Sequence, residues 1–276
     1  MKKFLNFSLF FALFATSVLA SELSKFKQQS GWSEFELNGK VKSMELTQTW
    51  HDGKNKNEKT TVFFNEQGYI TKEIVKVDGK KEHSVEYKLN AQNFRLLANA
   101  NDGTSTKFSY EFGDEVLYQT AEEFVNGKKP IQAKTVVKKF SKDGKILTEQ
   151  IRSGGYTIAE FHTIYDEKGN KVKEQDGSGM VIFDISYIYD ENGNLKQKSL
   201  LSPIESKVQY ILYDNTHVTL IQNTEMQKPD GSEPALLESW TYKNTVDKNN
   251  NLTNVKIYSD DGKLLREDSY KYEYYK

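Results

Sequence analysis

The stretch Tyr189-Asp190-Glu191-Asn192-Gly193-Asn194-Leu195 sets the architecture of this chain, because related stretches recur along it. An aromatic residue opens the motif, three polar residues and a glycine follow, and an aliphatic residue closes it. Related copies occupy residues 140–144, 165–169 and 258–262. Asp, Asn and Gly tolerate the positive φ angles that tight turns between strands require. Each copy is therefore predicted to be a β-turn that joins two strands.

Apolar and polar residues alternate in the segments between these turns. Val85, Tyr87 and Leu89, for example, alternate with Glu86 and Lys88. Successive side chains of a strand point to opposite faces of a sheet, so this period of two predicts half-buried strands. The same alternation is found in segments 44–50, 107–112, 181–189 and 270–274. No sustained helical periodicity is present, and the chain is predicted to be all-β.

The spacing of the motif predicts a repeat of β-hairpins. Aromatic residues at the predicted turn entries, which include Tyr87, are mostly 23 to 25 residues apart, which fits two strands and two turns. Roughly fourteen to eighteen strands are expected, arranged as an antiparallel up-and-down meander. So wide a sheet has to curl, split into a sandwich or close, and we expect a large curled sheet or barrel-like shell. Residues 223–233 alternate weakly and contain Pro229, so they are predicted to form a longer loop.

The two copies that begin at Tyr165 and Tyr189 share the pattern Tyr-Asp-x-x-Gly-Asn. Through this pattern the chain resembles the bacterial YD-repeat (RHS-type) β-hairpin proteins. It also looks like the MORN-like repeats of bacterial proteins, which share an aromatic residue, a glycine and a following aliphatic residue. The resemblance covers residues 35–276 loosely, and other copies replace Tyr-Asp with Phe-Asn, Phe-Ser or Tyr-Ser. It implies a repetitive extracytoplasmic scaffold, shell or interaction surface, and it implies no catalytic residue.

The N-terminus has the pattern of a secretory signal peptide. Lys2 and Lys3 precede an apolar stretch that ends in small residues, and cleavage is predicted after Ala20. An uncleaved membrane anchor is the alternative, for which the apolar stretch is short. We therefore predict a signal peptide at 1–20, a helical or flexible leader at 21–33 and a single β-repeat domain at 34–276. The lysine-rich start indicates a bacterial protein of the periplasm or the cell exterior.

The composition of the chain limits the classes of partner that we expect it to bind. The chain has no cysteine, so disulfides cannot stabilise its fold and an acylated cysteine cannot anchor it to a membrane. Without Lys2 and Lys3 it has 36 basic and 39 acidic residues, and no clustered basic face indicates nucleic-acid binding. After the signal peptide no apolar run approaches the ~20 residues of a transmembrane helix, so no transmembrane anchor is expected.

No constellation of catalytic or metal-ligating residues is evident. His51, His83, His162 and His217 are scattered, without the spacing of a local metal motif. The acidic turn at Asp190 lacks the acidic residue that an EF-hand loop needs, so turn chemistry explains it better than calcium. No catalytic, cofactor or metal site is therefore predicted.

Three strand carboxylates are candidate catalytic acids, namely Glu86, Glu111 and Asp184. All three lie on the polar parity of their strands, where a solvated surface is expected. Asp184 is the most interesting because it lies within a strongly apolar run. We predict that it is a surface residue as well.

The leading functional hypothesis is a secreted or periplasmic binding, interaction or scaffold module without enzymatic activity. Its 16 Tyr, 16 Phe and 3 Trp suit carbohydrate stacking or protein interfaces, but cross-strand pairing explains them better, because tyrosines recur at equivalent turn-entry positions. The expected partner is a protein, a glycan or a small apolar ligand. The first alternative is an envelope carbohydrate-active hydrolase. The second is an outer-membrane β-barrel, against which Lys and Glu interrupt any lipid-facing band.

Overall fold

The computed structural model describes residues 30–128, 133–213, 219–228 and 232–276. In these residues the chain forms one short helix and eighteen strands, and every strand pairing given by its register is antiparallel. The all-β up-and-down meander is thereby confirmed, and the number of strands lies at the upper end of the expected range. The predicted signal peptide and residues 21–29 of the predicted leader lie outside the described residues.

The elements are numbered in chain order. The helix and the first nine strands are α1 (Gly31–Glu34), β1 (Val41–Trp50), β2 (Glu58–Phe64), β3 (Ile70–Val77), β4 (His83–Leu89), β5 (Arg95–Ala100), β6 (Thr104–Phe112), β7 (Val116–Val125), β8 (Ala133–Phe140) and β9 (Ile146–Ser153). The other strands are β10 (Tyr156–Tyr165), β11 (Lys171–Asp176), β12 (Val181–Tyr189), β13 (Leu195–Ser202), β14 (Lys207–Tyr213), β15 (Thr219–Met226), β16 (Ala235–Val246), β17 (Leu252–Ser259) and β18 (Leu264–Tyr274).

The described chain divides into two compact units, and the boundary falls within β10. The first unit is His83–Glu160, in which β4 to β9 follow one another as hairpins. The second unit combines Ser30–Glu82 with Phe161–Lys276. In the second unit β1 pairs with β2 and also with the last strand, β18, so distant parts of the chain share one sheet.

One turn geometry recurs in both units. The N–H of position 1 donates to the carbonyl of position 5, and the N–H of position 4 donates to the carbonyl of position 1. Position 4 has a φ between 61° and 86° and is Gly, or Asn in two copies. The register shifts by one residue beside these turns, as a hairpin with a bulge requires. Position 1 of the turn is Asn65, Asn90, Ser141, Asp166, Asp176, Asp190, Asp247 and Ser259.

The side chain at position 1 holds the turn closed. In Asp190 one carboxylate oxygen accepts the backbone N–H of Asn192 at 2.9 Å and that of Asn194 at 2.8 Å. Asn65 makes the same two contacts with its amide oxygen. In the two copies that begin with serine, the hydroxyl donates to the Asp at position 3, which is Asp143 or Asp261. The predicted role of the motif as a hairpin turn is confirmed.

In the second unit, α1 packs against the sheet. The Trp32 indole N–H donates to the carbonyl of Val41 at 2.7 Å, and the indole lies so close to Gly68 that a side chain there would overlap it. The helix begins within residues assigned to the leader. Beneath it lie the buried side chains Phe64 and Ile70. This short helix of four residues therefore closes this part of the core.

The first unit has an aromatic core of its own. Phe94, Phe108, Tyr110 and Leu117 are buried together. The rings of Phe94 and Tyr110 meet edge to face, with centroids 4.6 Å apart, which is a favoured arrangement for aromatic pairs. Both residues come from neighbouring hairpins, so this contact ties β6 to the turn before β5.

Two expectations about particular segments were wrong. Residues 223–226 belong to β15 and not to a loop, since Asn223 pairs with both Tyr210 and Ser239. Neighbouring strands on both sides stabilise this segment despite its weak alternation. Tyr87 was placed at a turn entry, but Leu89 is the residue that directly precedes the Asn90 turn.

Replacing Gly193 tests the positive φ directly. Its φ is 83°, and no atom lies within 4 Å of where a Cβ would be, so the backbone conformation alone opposes a side chain. Gly193→Val should lower the free energy of unfolding by about 1–2 kcal/mol. Gly193→Asn should cost clearly less, because Asn93 and Asn250 occupy this position in other copies. Thermal denaturation of both variants checks this, and equal losses would contradict it.

The turn carboxylates should make stability depend on pH. The Asn194 side chain lowers the pKa of Asp190, the Asn170 side chain that of Asp166, and the Ser178 hydroxyl that of Asp176. A carboxylate whose pKa is lower in the folded state than in the unfolded state stabilises the fold at pH values above its unfolded pKa, which is about 3.9 for Asp. This contribution to stability is lost as the pH falls through the folded-state pKa.

A triple variant, Asp166→Asn with Asp176→Asn and Asp190→Asn, keeps the acceptors but removes these titrations. The melting temperature of the wild type should exceed that of the variant most at about pH 6–7, and the gap should close toward about pH 3. A gap that does not change with pH would show that these carboxylates do not stabilise the fold through ionisation.

Candidate functional site

The two faces of the sheet formed by β16–β18 and β1–β2 differ sharply. One face, here called the charged face, carries ion pairs between neighbouring strands. The Nζ atom of Lys59 lies 2.7 Å from a carboxylate oxygen of Glu45, and Lys271 approaches the same carboxylate at 3.5 Å. Lys256 pairs with Glu267 at 3.8 Å. Such exposed pairs contribute little to stability, but they mark a face that meets water.

The opposite face, here called the Asp268 face, is aromatic and partly buried. Directly opposed residues of an antiparallel pair lie on the same face, so Arg266 stands beside Trp50, Asp268 beside Gln48 and Tyr270 beside Leu46. Residues two apart along β18 share this face as well.

Asp268 lies at the centre of this face and is only 3% exposed. Nη2 of Arg266 lies 2.8 Å from Oδ2, and the Gln48 side-chain amide donates to Oδ1 at 3.4 Å. Burial raises the pKa of Asp268, while the charge and hydrogen bond of Arg266 and the hydrogen bond of Gln48 offset part of this effect. Both carboxylate oxygens are thus used within the protein.

Arg266 is held on two sides. Its guanidinium carbon lies 5.0 Å from the centre of the Trp50 ring, within the range of a cation–π contact. Its Nε is buried and has no hydrogen-bond partner among the described residues. Stacking on Trp50 and pairing with Asp268 therefore fix the guanidinium plane. We call Gln48, Trp50, Arg266 and Asp268 the Arg266–Asp268 cluster.

A ladder of tyrosines continues the Asp268 face along β18. The rings of Tyr270 and Tyr272 stack with centroids 6.4 Å apart, and Tyr274 follows at 6.3 Å. The Tyr272 hydroxyl donates to the carbonyl of Leu252 at 2.6 Å, and the Tyr274 hydroxyl donates to Asp247 at 2.7 Å. Burial raises the pKa of both Tyr270 and Tyr272. The Tyr272 hydroxyl is thus a donor to the main chain, and the Tyr274 hydroxyl is a donor to a turn.

An open hollow of about 480 Å³ lies beside the turn between β10 and β11. Its lining includes Asp166, Glu167, Lys168 and Tyr189. The Asn170 side-chain amide donates to the Tyr189 hydroxyl at 3.3 Å, and the Lys168 ammonium lies 4.6 Å from the Tyr189 ring centre. The pKa of Asp166 is lowered, chiefly by its hydrogen bond from Asn170. The charged groups here belong to the hairpin turn, while the Tyr189 hydroxyl comes from β12.

The residues singled out from the sequence do not converge. His51 is exposed between β1 and β2, His83 lies on β4 and His162 on β10, while His217 is outside the described residues. Within the described ranges, no group of three or more His, Cys, Asp or Glu side chains could hold a metal ion.

The three strand carboxylates are also separate. Glu86 and Glu111 are exposed, on β4 and β6. Asp184 is half-buried on β12, and its Oδ2 lies 3.8 Å from Nζ of Lys173. Sequence reasoning missed Arg266 and Asp268, although they stand two apart on a strand that otherwise carries tyrosines at this parity.

Comparisons with known proteins give no family. No family model matches the chain, and no curated protein matches it. Within the part of the chain that the structure describes, no helix is long and apolar enough to cross a membrane. The fold and the site together define a protein of repeated β-hairpins that contains a buried charged cluster.

Several solved structures are similar at low identity. A porin-like protein from Bacteroides uniformis ATCC 8492 is 12% identical with a TM-score of 0.45, and the match covers 90% of this chain and 100% of that one. A porin-like protein from Bacteroides vulgatus ATCC 8482 is 12% identical with a TM-score of 0.37, and the match covers 84% of this chain and 98% of that one. The TcdB2-TccC3-Cdc42 structure is 12% identical with a TM-score of 0.33, covering 76% of this chain and 12% of that one. Similarity at this level assigns no function.

Breaking the buried pair tests its structural role. Arg266→Met leaves the Asp268 carboxylate buried without its cation, so the free energy of unfolding should fall by about 3 kcal/mol. The double variant Arg266→Met with Asp268→Leu should regain most of this loss, because no lone charge remains. Lys271→Met on the charged face is the matched control, with a side chain 81% exposed and an expected change within about 0.5 kcal/mol.

Urea denaturation followed by tryptophan fluorescence measures all three variants. If Arg266→Met proved as harmless as Lys271→Met, the pair would not hold this face together.

Proposed function

We propose that this chain is an exported, non-enzymatic β-hairpin repeat protein that acts as a binding or scaffold module. The signal-peptide pattern at residues 1–20 supports export. The recurrence of one hairpin turn in both units supports a repeated structural role, because repeats of this kind build extended surfaces. The resemblance of the Tyr165 and Tyr189 copies to YD repeats agrees with this role.

The observation that carries the proposal is that the polar side chains of the Asp268 face bind one another. Asp268 is shared between Arg266 and Gln48, and the Tyr242 hydroxyl donates to the Gln222 amide oxygen at 3.2 Å. A catalytic group has to present a free atom to its substrate. Both oxygens of Asp268 and the Tyr242 hydroxyl are instead engaged in contacts within the protein.

The hydrolase alternative finds little support in the open hollow. A glycosidase requires one carboxyl group that remains protonated as a general acid, paired with a second carboxylate. The hydrogen bonds at Asp166 lower its pKa, which is opposite to what a general acid needs. Asp268 has the raised pKa, but Arg266 and Gln48 occupy its two oxygens.

The outer-membrane alternative is opposed by charge on both faces of one sheet. The charged face carries Glu45, Lys59 and Lys271, and the Asp268 face carries Arg266 and Asp268. A strand that faces lipid needs an apolar band, and a lysine or arginine at the bilayer centre costs about 2–4 kcal/mol. These strands suit an aqueous compartment on one side and a protein interior on the other.

A panel of glycan and ester substrates tests the absence of catalysis. We expect no turnover above background from the purified protein. Reproducible hydrolysis that is abolished by Asp166→Asn, Glu167→Gln or Asp268→Asn would overturn the proposal. Ser186→Ala, in the same hollow but without a carboxylate, is the matched control for these variants.

Export has a separate test. When the full chain is expressed in a bacterial host, the intact mass of the mature protein should correspond to a chain that begins at Ser21. Retention of residues 1–20 in the membrane fraction would favour the uncleaved anchor instead.

A further inference from the structure

The residues at the start of β16 pair with a neighbouring strand on one side alone. β15 pairs with this segment, with Met226 opposite Ala235 and Glu225 opposite Leu236. On the other side, the pairing with β17 begins at Trp240, which stands opposite Ser259. Residues 235–239 therefore extend past the end of β17, and within the described residues they form a free strand edge.

This edge has the features that favour pairing with another strand. Leu236 is 55% exposed and Leu237 is 44% exposed, and Met226 on the adjacent strand is 40% exposed. A free edge presents unpaired backbone N–H and C=O groups in the spacing of a β-ladder. Lysines, prolines and bulges protect many edges. Residues 235–239 include no lysine and no proline, and the register with β15 shifts at Leu237, between Leu236 opposite Glu225 and Glu238 opposite Thr224. Unpaired main chain beside exposed leucines suits an extended polypeptide.

The charge around the edge indicates the sign of its partner. Glu238 lies within the edge and is exposed, and Glu233 precedes it. The turn that follows Ser259 brings exposed Asp260 and Asp261 to the place where β17 would otherwise continue. The Ser259 hydroxyl lowers the pKa of Asp261, so this carboxylate is ionised at neutral pH. Lys228 and Lys263 offset only part of this negative charge.

We propose that residues 235–239 of β16 bind an extended, basic peptide segment of a partner protein by β-strand addition. The partner strand takes the place beside β16 that β17 leaves open, its backbone completes the ladder, and its basic side chains face Glu238, Asp260 and Asp261. The inference rests on the proposed non-enzymatic binding role and names the class of partner.

The probe is a synthetic peptide of alternating lysine and valine, acetyl-KVKVKVK-amide, titrated into the full chain by isothermal titration calorimetry. Two control peptides separate the contributions. The first control, acetyl-EVEVEVE-amide, reverses the charge of the side chains. The second control is the lysine peptide with alternate backbone nitrogens methylated, which blocks those N–H groups and keeps every side chain. We expect saturable binding of the lysine peptide and a loss of at least about tenfold in affinity for each control.

Protein variants locate the site. Leu236→Lys with Leu237→Lys should weaken binding of the lysine peptide at least about tenfold, because it adds like charge to the edge. Ile188→Lys is the matched control, since Ile188 is 53% exposed on a strand that has neighbours on both sides. It should leave the affinity unchanged within about twofold. Unchanged melting temperatures show that the variants are folded.

Several results would overturn the inference. They are no saturable binding up to about 1 mM, equal binding of the N-methylated or glutamate peptide, or equal loss in Ile188→Lys. Self-association that Leu236→Lys with Leu237→Lys abolishes would show that a second copy of the chain occupies the edge. Failure of peptide binding without hydrolysis leaves the non-enzymatic role standing, so the two proposals fail separately.

Discussion

The hydrogen bonds from turn backbone to the side chain at position 1 are the contacts on which eight of the described strand connections depend. A carboxylate or amide oxygen at this position accepts two backbone N–H groups, as Asp190 and Asn65 do. The chain then reverses with position 4 in the left-handed region, where Gly or Asn has least strain. Because this geometry recurs at eight connections of the described chain, each of those hairpins is specified locally.

The hairpins gain a second level of organisation from the difference between their faces. Exposed ion pairs on the charged face keep it in water, while the Asp268 face buries aromatic rings together with Arg266 and Asp268. A buried ion pair is expensive to desolvate, so it stabilises this face only as long as both partners are present. Stacking on Trp50 and the amide of Gln48 supply the remaining contacts. This arrangement specifies a packing partner for β18 more than it adds net stability.

The free edge of β16 contrasts with the rest of the second unit. Elsewhere in this unit, strands such as β14 are paired on both sides and their backbone groups are satisfied within the sheet. At residues 235–239 the pairing ends early on one side because β17 turns back at Ser259. Exposed leucines at such a place increase the risk of aggregation unless a partner covers them. A binding role gives this departure from protected edges a physical reason.

Local patterns were enough to predict the turns at Asp166 and Asp190 and the alternating strands, because these depend on residues close together in the chain. The pairing of β1 with β18, the docking of Trp32 over Gly68, and the strand at residues 223–226 depend on residues far apart, so no local pattern indicated them. The Arg266–Asp268 cluster was missed for the same reason. Arg266 and Asp268 are two residues apart on β18, but Trp50 and Gln48 contact them only from the neighbouring strand β1. Local hydrogen bonding decides where this chain turns, and the pairing of distant strands decides which side chains meet.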